Sequence, residues 1–262
     1  MPRANRYFIP GHVWHITHRC HRSEFLLKFF RDRKRWRYWL FEAKKRFGLS
    51  VLNYIVTSNH IHLLVKDTRQ DVIARSMQLI AGRTAQEYNQ RKNRKGAFWE
   101  DRYHATAIDT EGYLAQCLVY IDMNMVRTGV VSHPSDWTNS GYHEIQNPPD
   151  RYGVIDYLAL MELLGINNLA QLQSEHRLWV EAELKKDSAL RKPIWSESLA
   201  VGSQEYVQGV KKALGVSAKA RQIETQEGLY RIREPRGSYI CDFDTQNGDL
   251  SSYRHLILDN TE

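Results

Sequence analysis

The stretch SVLNYIVTSNHIHLLVK, residues 50–66, holds two runs of β-forming residues, SVLNYIVT (50–57) and HIHLLVK (60–66), with only Ser58 and Asn59 between them. So short a break between two such runs predicts a tight antiparallel hairpin. In the second run His60 and His62 are two positions apart. On a strand such residues face the same way, so the two imidazoles project side by side while Ile61 turns to the other face. Leu64 continues the histidine face and Leu63 the opposite one.

Working outward, HVWHITHR (12–19) alternates large apolar and polar residues at period two and reads as a strand. DRKRWRYWLFEAKKRFG (32–48) sets Trp36, Leu40, Ala43 and Phe47 at helical spacing, with basic residues between them and Gly48 to close the helix. DVIARSMQLIAGRTAQEYN (71–89) predicts a second helix, with Ile73, Met77, Ile80 and Thr84 along one face, followed by the basic loop QRKNRKG (90–96). RYHATAID (102–109) reads as a fourth strand and TEGYLAQCLVYIDMN (110–124) as a third helix, with Thr110 as its cap. A βαββαβ series predicts an α+β fold: a ferredoxin-like, split-βαβ antiparallel sheet with helices on one face.

Beyond residue 130 the texture changes. HPSDWTNSGYHEIQNPPDRYG is rich in Pro, Asn, Ser and Gly, which predicts a linker over 132–155. Helical patterns resume near 155–164, 168–187 and 203–214, while DTQNGDLSSY (244–253) looks loose, so 156–262 reads as a mostly helical C-terminal extension.

Charge divides the chain in the same place. Its net charge is +7, but residues 1–130 hold 23 Lys and Arg against 11 Asp and Glu, a net of +12, and residues 131–262 a net of −5. A strongly basic half points to nucleic acid as partner. No run of about 18 apolar residues is present to cross a bilayer. The segment MPRANRYFIP lacks the apolar centre of a secretion signal, so a cytoplasmic, nucleoid-associated protein is expected. Cys20, Cys117 and Cys241 are too widely spaced for a disulfide framework or a CxxC zinc site and read as packing residues.

A buried HxH strand needs something to satisfy its imidazoles. On the third helix Leu114, Cys117, Leu118 and Ile121 form an apolar stripe, bordered by Tyr113, Tyr120 and Asn124. Packed beside the hairpin, Asn124 would complete an N,N,O donor set and Tyr120 would lie close to the ion. The pattern alone leaves Tyr120 open: one of 14 tyrosines packed at an edge with a wet hydroxyl, or a phenol beside a cation. A mixed imidazole and amide set with open positions suits Mg²⁺ or Mn²⁺ acting on a phosphate better than structural zinc. A tyrosine there is a natural nucleophile once its phenolate is favoured over a free pKa of about 10.

The blocks YIVTSNHIHLLV, FWEDRYHATAID and YLAQCLVYIDMNMVRTGVV resemble the single-tyrosine transposases of the HUH superfamily. Within these they are most similar to the REP-associated tyrosine transposases, whose histidine block reads SNHxHLL and whose tyrosine block reads YIxxNPVRAG. The likeness spans residues 7–131, while WTNSGYHEIQNP and WSESLAVGSQEY resemble the extension of longer relatives. It implies a catalytic domain over 1–131, His60, His62 and Asn124 as metal ligands, Tyr120 as nucleophile, and Mg²⁺ or Mn²⁺ as cofactor. It also implies single-stranded DNA bearing REP- or BIME-like hairpins as substrate, cleaved through a 5′-phosphotyrosine, by a monomer or a homodimer. Where the family has Pro after Asn124 this chain has Met125, and RTG replaces RAG; without the proline the helix is expected to run on past Asn124. DNA contacts are expected on one face from Arg19, Arg22, Arg83, Arg91, Lys92, Arg94, Lys95, Arg102 and Arg127, with Trp99 and Tyr103 stacking unpaired bases. Two other functions stay open: a hairpin-binding protein without catalysis, and a metal-dependent hydrolase of small phosphoesters.

Overall fold

The structure is a computed structural model that describes residues 9, 11–110, 112–186, 192–218, 221–226 and 228–233. Cys241 and the stretch 244–253 lie outside the described residues. Four strands, β1 (Val13–Arg19), β2 (Ser50–Val56), β3 (His60–Lys66) and β4 (His104–Ile108), pair antiparallel in the order β2-β3-β1-β4, the ferredoxin-like arrangement expected. Thr57 N–H donates to the His60 carbonyl at 3.0 Å and closes the hairpin. Leu52 is an extra residue in β2, because the register steps from Val51↔Val65 to Asn53↔Leu64. That bulge swings Asn53 onto the histidine face.

The first two helices, α1 (Phe30–Phe47) and α2 (Val72–Arg91), pack together on one face of this sheet, as the periodicity predicts. Trp36 of α1 meets Tyr54, which shares a face with Leu63 and Ile16. Gly48, at φ 73°, ends α1 with its N–H on the Lys44 carbonyl, a left-handed position that suits glycine. The third helix, α3 (Leu114–Asp122), lies on the opposite face and continues after Met123 as α4 (Asn124–Arg127). Asn53 Nδ2 donates to the Leu118 carbonyl at 3.3 Å and to Asp122 Oδ1 at 3.0 Å, pinning α3 to β2. Thr110 does not cap it: Gly112, at φ 82°, turns the chain between Thr110 and Leu114, and Tyr113 precedes the helix with no side-chain cap.

Residues 137–140 run along the β2 edge, where Val56 N–H donates to the Asn139 carbonyl at 3.0 Å and Trp137 Nε1 donates to the Val56 carbonyl at 3.0 Å. They lead into α5 (Gly141–Gln146), whose first residue must be glycine, since a Cβ there would stand 2.1 Å from Asn53 Oδ1. The stretch read as a linker thus shields an otherwise open edge strand. Next come α6 (Tyr157–Leu164), α7 (Leu169–Leu184), α8 (Ile194–Glu197) and α9 (Gln204–Leu214); α6, α7 and α9 match the helical patterns of the extension, and the short α8 has no counterpart among them. The extension also supplies strands that its sequence did not signal. β5 (Ser198–Gly202) pairs parallel to β4, and β7 (Leu229–Arg233) and β6 (Ile223–Gln226) continue the sheet to seven strands. Cys20 and Cys117 are buried free thiols whose pKa burial pushes up, in keeping with packing roles.

Candidate functional site

The histidine face of β1–β4 is buried and polar. Cross-strand register sets His15 beside Leu64, Thr17 beside His62 and His104, and Arg19 beside His60. His60 and His62 are each 1% exposed, their rings 5.0 Å apart and nearly perpendicular. Burial at this level requires each ring nitrogen to be accounted for.

A chain of hydrogen bonds fixes the tautomers. His15 Nδ1 lies 2.8 Å from the Trp195 carbonyl, which can only accept, so the proton is on Nδ1. Burial drives the His15 pKa down to about 4, so the ring is neutral and its Nε2 is an acceptor. His62 Nδ1, 2.9 Å away, must then donate to it, which leaves His62 Nε2 unprotonated. On His60, Nδ1 donates to Asn59 Oδ1 at 2.7 Å, so the neutral ring carries its lone pair on Nε2. Both imidazoles are held in orientation by the bonds their Nδ1 atoms make.

Asn124 reaches the same place from α4. Its Nδ2 is 3.1 Å from His62 Nε2, while its Oδ1 is buried with no hydrogen-bond partner among the described residues. The helix does run on past Asn124, to Arg127, and the amide still meets His62. A half-turn of the amide exchanges its two ends, so the same side chain can present a carbonyl oxygen. Among the described residues no three His, Cys, Asp or Glu side chains gather as a metal set.

Tyr120 is 6% exposed and stands edge-on to two imidazoles, 5.9 Å from the His15 ring and 5.9 Å from the His62 ring. The Arg127 guanidinium lies 4.3 Å from the centre of the Tyr120 ring and donates from Nη2 to the Tyr120 carbonyl at 2.9 Å. Behind them Asp122 Oδ2 is 2.7 Å from His176 Nε2, fastening α3 to α7.

The remaining expected DNA contacts divide between two places. Arg19, ion-paired with Glu100, lies on the histidine face, and Arg22, Arg94, Lys95 and Arg102 sit on the loops around the end of β1, with Arg94 bridging to Glu24 at 3.3 Å. Arg83, Arg91 and Lys92 belong to the helical layer on the other side, over Trp39, against Asp32 and over Phe29. The Trp99 ring is stacked on His18 at 4.1 Å, and buried Tyr103 stands edge-on to the same histidine, so both aromatics pack within the chain. Sequence reasoning missed His15 and Trp195. The period-two pattern of HVWHITHR placed His15 on a strand but could not say which neighbour it would meet.

The polar face of the antiparallel sheet thus brings together paired imidazoles, a buried amide and a helical tyrosine under an arginine. Residues 11–124 match the family described as IS200-like transposases. The match ends at Asn124, leaving Arg127 and the extension outside it. Among solved structures, a REP-associated tyrosine transposase bound to a REP hairpin is 21% identical, with a TM-score of 0.47 over 60% of this chain and 94% of that chain. A transposase candidate from Deinococcus radiodurans R1 is 19% identical, with a TM-score of 0.32 over 47% of this chain and 96% of its own. Among curated proteins no relative matches.

Proposed function

We propose that this protein is a metal-dependent single-stranded DNA endonuclease and strand transferase that acts on hairpin-bearing DNA through a 5′-phosphotyrosine. Tyr120 is the nucleophile, and His60, His62 and Asn124 would hold Mg²⁺ or Mn²⁺. The donors fit such an ion, given two imidazoles whose Nε2 atoms are unprotonated and a buried amide oxygen left without a partner. When bound, the ion would polarise a phosphoryl oxygen.

The chain's own groups do the rest. The Tyr120 oxygen attacks phosphorus in line with the leaving O3′, forming the P–O(Tyr) bond and breaking P–O3′. The phenol proton passes to solvent, and O3′ takes one up to leave as a free hydroxyl. Arg127 stands where its charge stabilises negative charge developing on the phenol. Because one phosphodiester replaces another, the released 3′-OH or a different one can reverse the step, so strand transfer requires no nucleotide hydrolysis. The protein's excess of positive charge in residues 1–130 suits a phosphate backbone and argues against a small phosphoester as substrate.

The observation that carries this reading is the edge-on approach of Tyr120 to the His62 ring. It is tested with labelled single-stranded DNA containing hairpins and Mn²⁺, run on a denaturing gel. A protein-linked band is expected, abolished by Tyr120→Phe and by chelator. A band that persists in Tyr120→Phe assigns the attack elsewhere. Tight binding with no band under any condition favours a catalytically silent hairpin-binding protein.

A further inference from the structure

The extension is net acidic, yet where it meets α3 it presents cations and aromatics. Between α3 and α7 lies a cavity of about 400 Å³ with the Tyr120 ring in its lining. Trp195, buried, sits beside Tyr120 with ring centres 6.2 Å apart and planes 35° apart, and Trp179 of α7, partly exposed, also lines the space. Lys186, Lys192 and Arg127 add positive charge. Both lysines are tied to Glu183, at 2.8 and 3.1 Å, which fixes them along the same side of the cavity.

A space of this size is in the range of small-ligand pockets, roughly 300–1,000 Å³. It has room for one nucleotide and none for a duplex. An aromatic wall with cations along its rim is the combination that captures an unpaired base together with its phosphate. We infer that this cavity receives one unpaired nucleobase flanking the scissile phosphate, stacked on Trp179, with the attached phosphate held by Lys192. The extension then forms part of the substrate site and selects for unstacked DNA next to Tyr120. The position of that base along the strand rests on Tyr120 being the nucleophile; its capture by Trp179 does not.

The test uses the full chain carrying Tyr120→Phe, so that no covalent chemistry intervenes, and measures binding of a fluorescent DNA hairpin with a single-stranded flank by anisotropy. A single abasic site is walked along the flank. One position is expected at which loss of the base weakens binding roughly tenfold, the scale of one base–aromatic stack. Adding Trp179→Leu, which keeps apolar bulk but loses the ring, should weaken binding to intact DNA by a similar factor and make the abasic site at that position cost nothing further. Trp179→Phe should restore most of both effects. An abasic penalty undiminished in Trp179→Leu, or no sensitive position at all, overturns the inference. The covalent-band assay on protein with Tyr120 intact separates the two readings: absence of a band with the Trp179 coupling preserved overturns the nucleophile and leaves the base site standing.

Discussion

Two faces of one sheet are buried to the same degree and built to opposite rules. On the α1/α2 face, Trp14, Ile16, Ile61, Leu63 and Val65 are apolar and pack against helices whose buried residues are Trp36, Leu40 and Ile80. On the α3 face the same strands bury His15, Thr17, His60, His62, His104 and Thr106. Burying polar groups is costly unless each is bonded. Here several of the bonds come from the extension's backbone: the Trp195 carbonyl accepts from His15, and the Ser198 carbonyl accepts from His104 at 2.9 Å and from Thr106 at 2.6 Å. One face supplies stability through area. The other holds a donor set in place, and the extension completes it.

Adjacent residues of β3 give the sharpest way to break that comparison. His60→Ala and His62→Ala should each cut covalent-band formation by about a thousandfold, since loss of a metal ligand removes several kcal/mol of charge stabilisation. Ile61→Ala and Leu63→Ala should instead lose about 2–5 kcal/mol of stability in urea titrations, with band formation per folded molecule nearly unchanged. Equal effects on activity from both sets would mean that the two faces do not divide the labour.

Acid reaches the polar face through His15. The folded protein holds His15 neutral with a pKa of about 4, because burial penalises the imidazolium, whereas the unfolded chain titrates near 6.5. Its contribution is therefore full above pH 6.5, declines as pH falls, and is gone near pH 4. The loss is on the order of 3 kcal/mol. Urea midpoints of the metal-free protein between pH 7.5 and 4 should fall steeply, and His15→Gln should flatten that curve. An unchanged slope in His15→Gln would place the acid sensitivity in another group.

The apolar face was the legible one. Periodicity located β1 to β4, α1 and α2 because each carries a long, regular pattern. The SLAVG strand β5 was not legible: it is five residues of modest β-propensity whose partner, β4, lies about ninety positions earlier, and only that partner makes it a strand. In the site, His60, His62, Tyr120 and Asn124 were readable from spacing and resemblance. His15 was not, since its meaning depends on which residue sits across from it and on a carbonyl 180 positions away. Trp99 was read as a platform for an unpaired base; in the structure its ring stacks on His18, a contact that the sequence did not signal.

Smaller effects test how the polar face is oriented. Replacing His15 with Ala should weaken Mn²⁺ binding about 10–100-fold, the usual scale for a partner that aligns a ligating histidine. His15→Gln, which keeps an acceptor for His62 Nδ1–H, should recover part of the loss in a calorimetric titration. Equal affinity in wild type and His15→Ala would mean that His62 needs no such alignment.

Arg127 gives the smallest and most discriminating change, because two roles compete for it. As a DNA contact, its loss should raise the DNA concentration needed for half-maximal rate and leave the saturated rate alone. Its guanidinium lies over the Tyr120 ring and is bonded to the Tyr120 carbonyl, which argues that it holds and polarises the phenol. Arg127→Ala should then lower the saturated rate of band formation about tenfold, within the range of a cation–π contact between exposed and desolvated, with DNA affinity shifted less. Arg127→Lys keeps the charge without the planar guanidinium, and an intermediate rate would follow. A change confined to DNA affinity in both variants would assign Arg127 to the phosphate backbone and leave the polarity of the Tyr120 environment to the imidazoles alone.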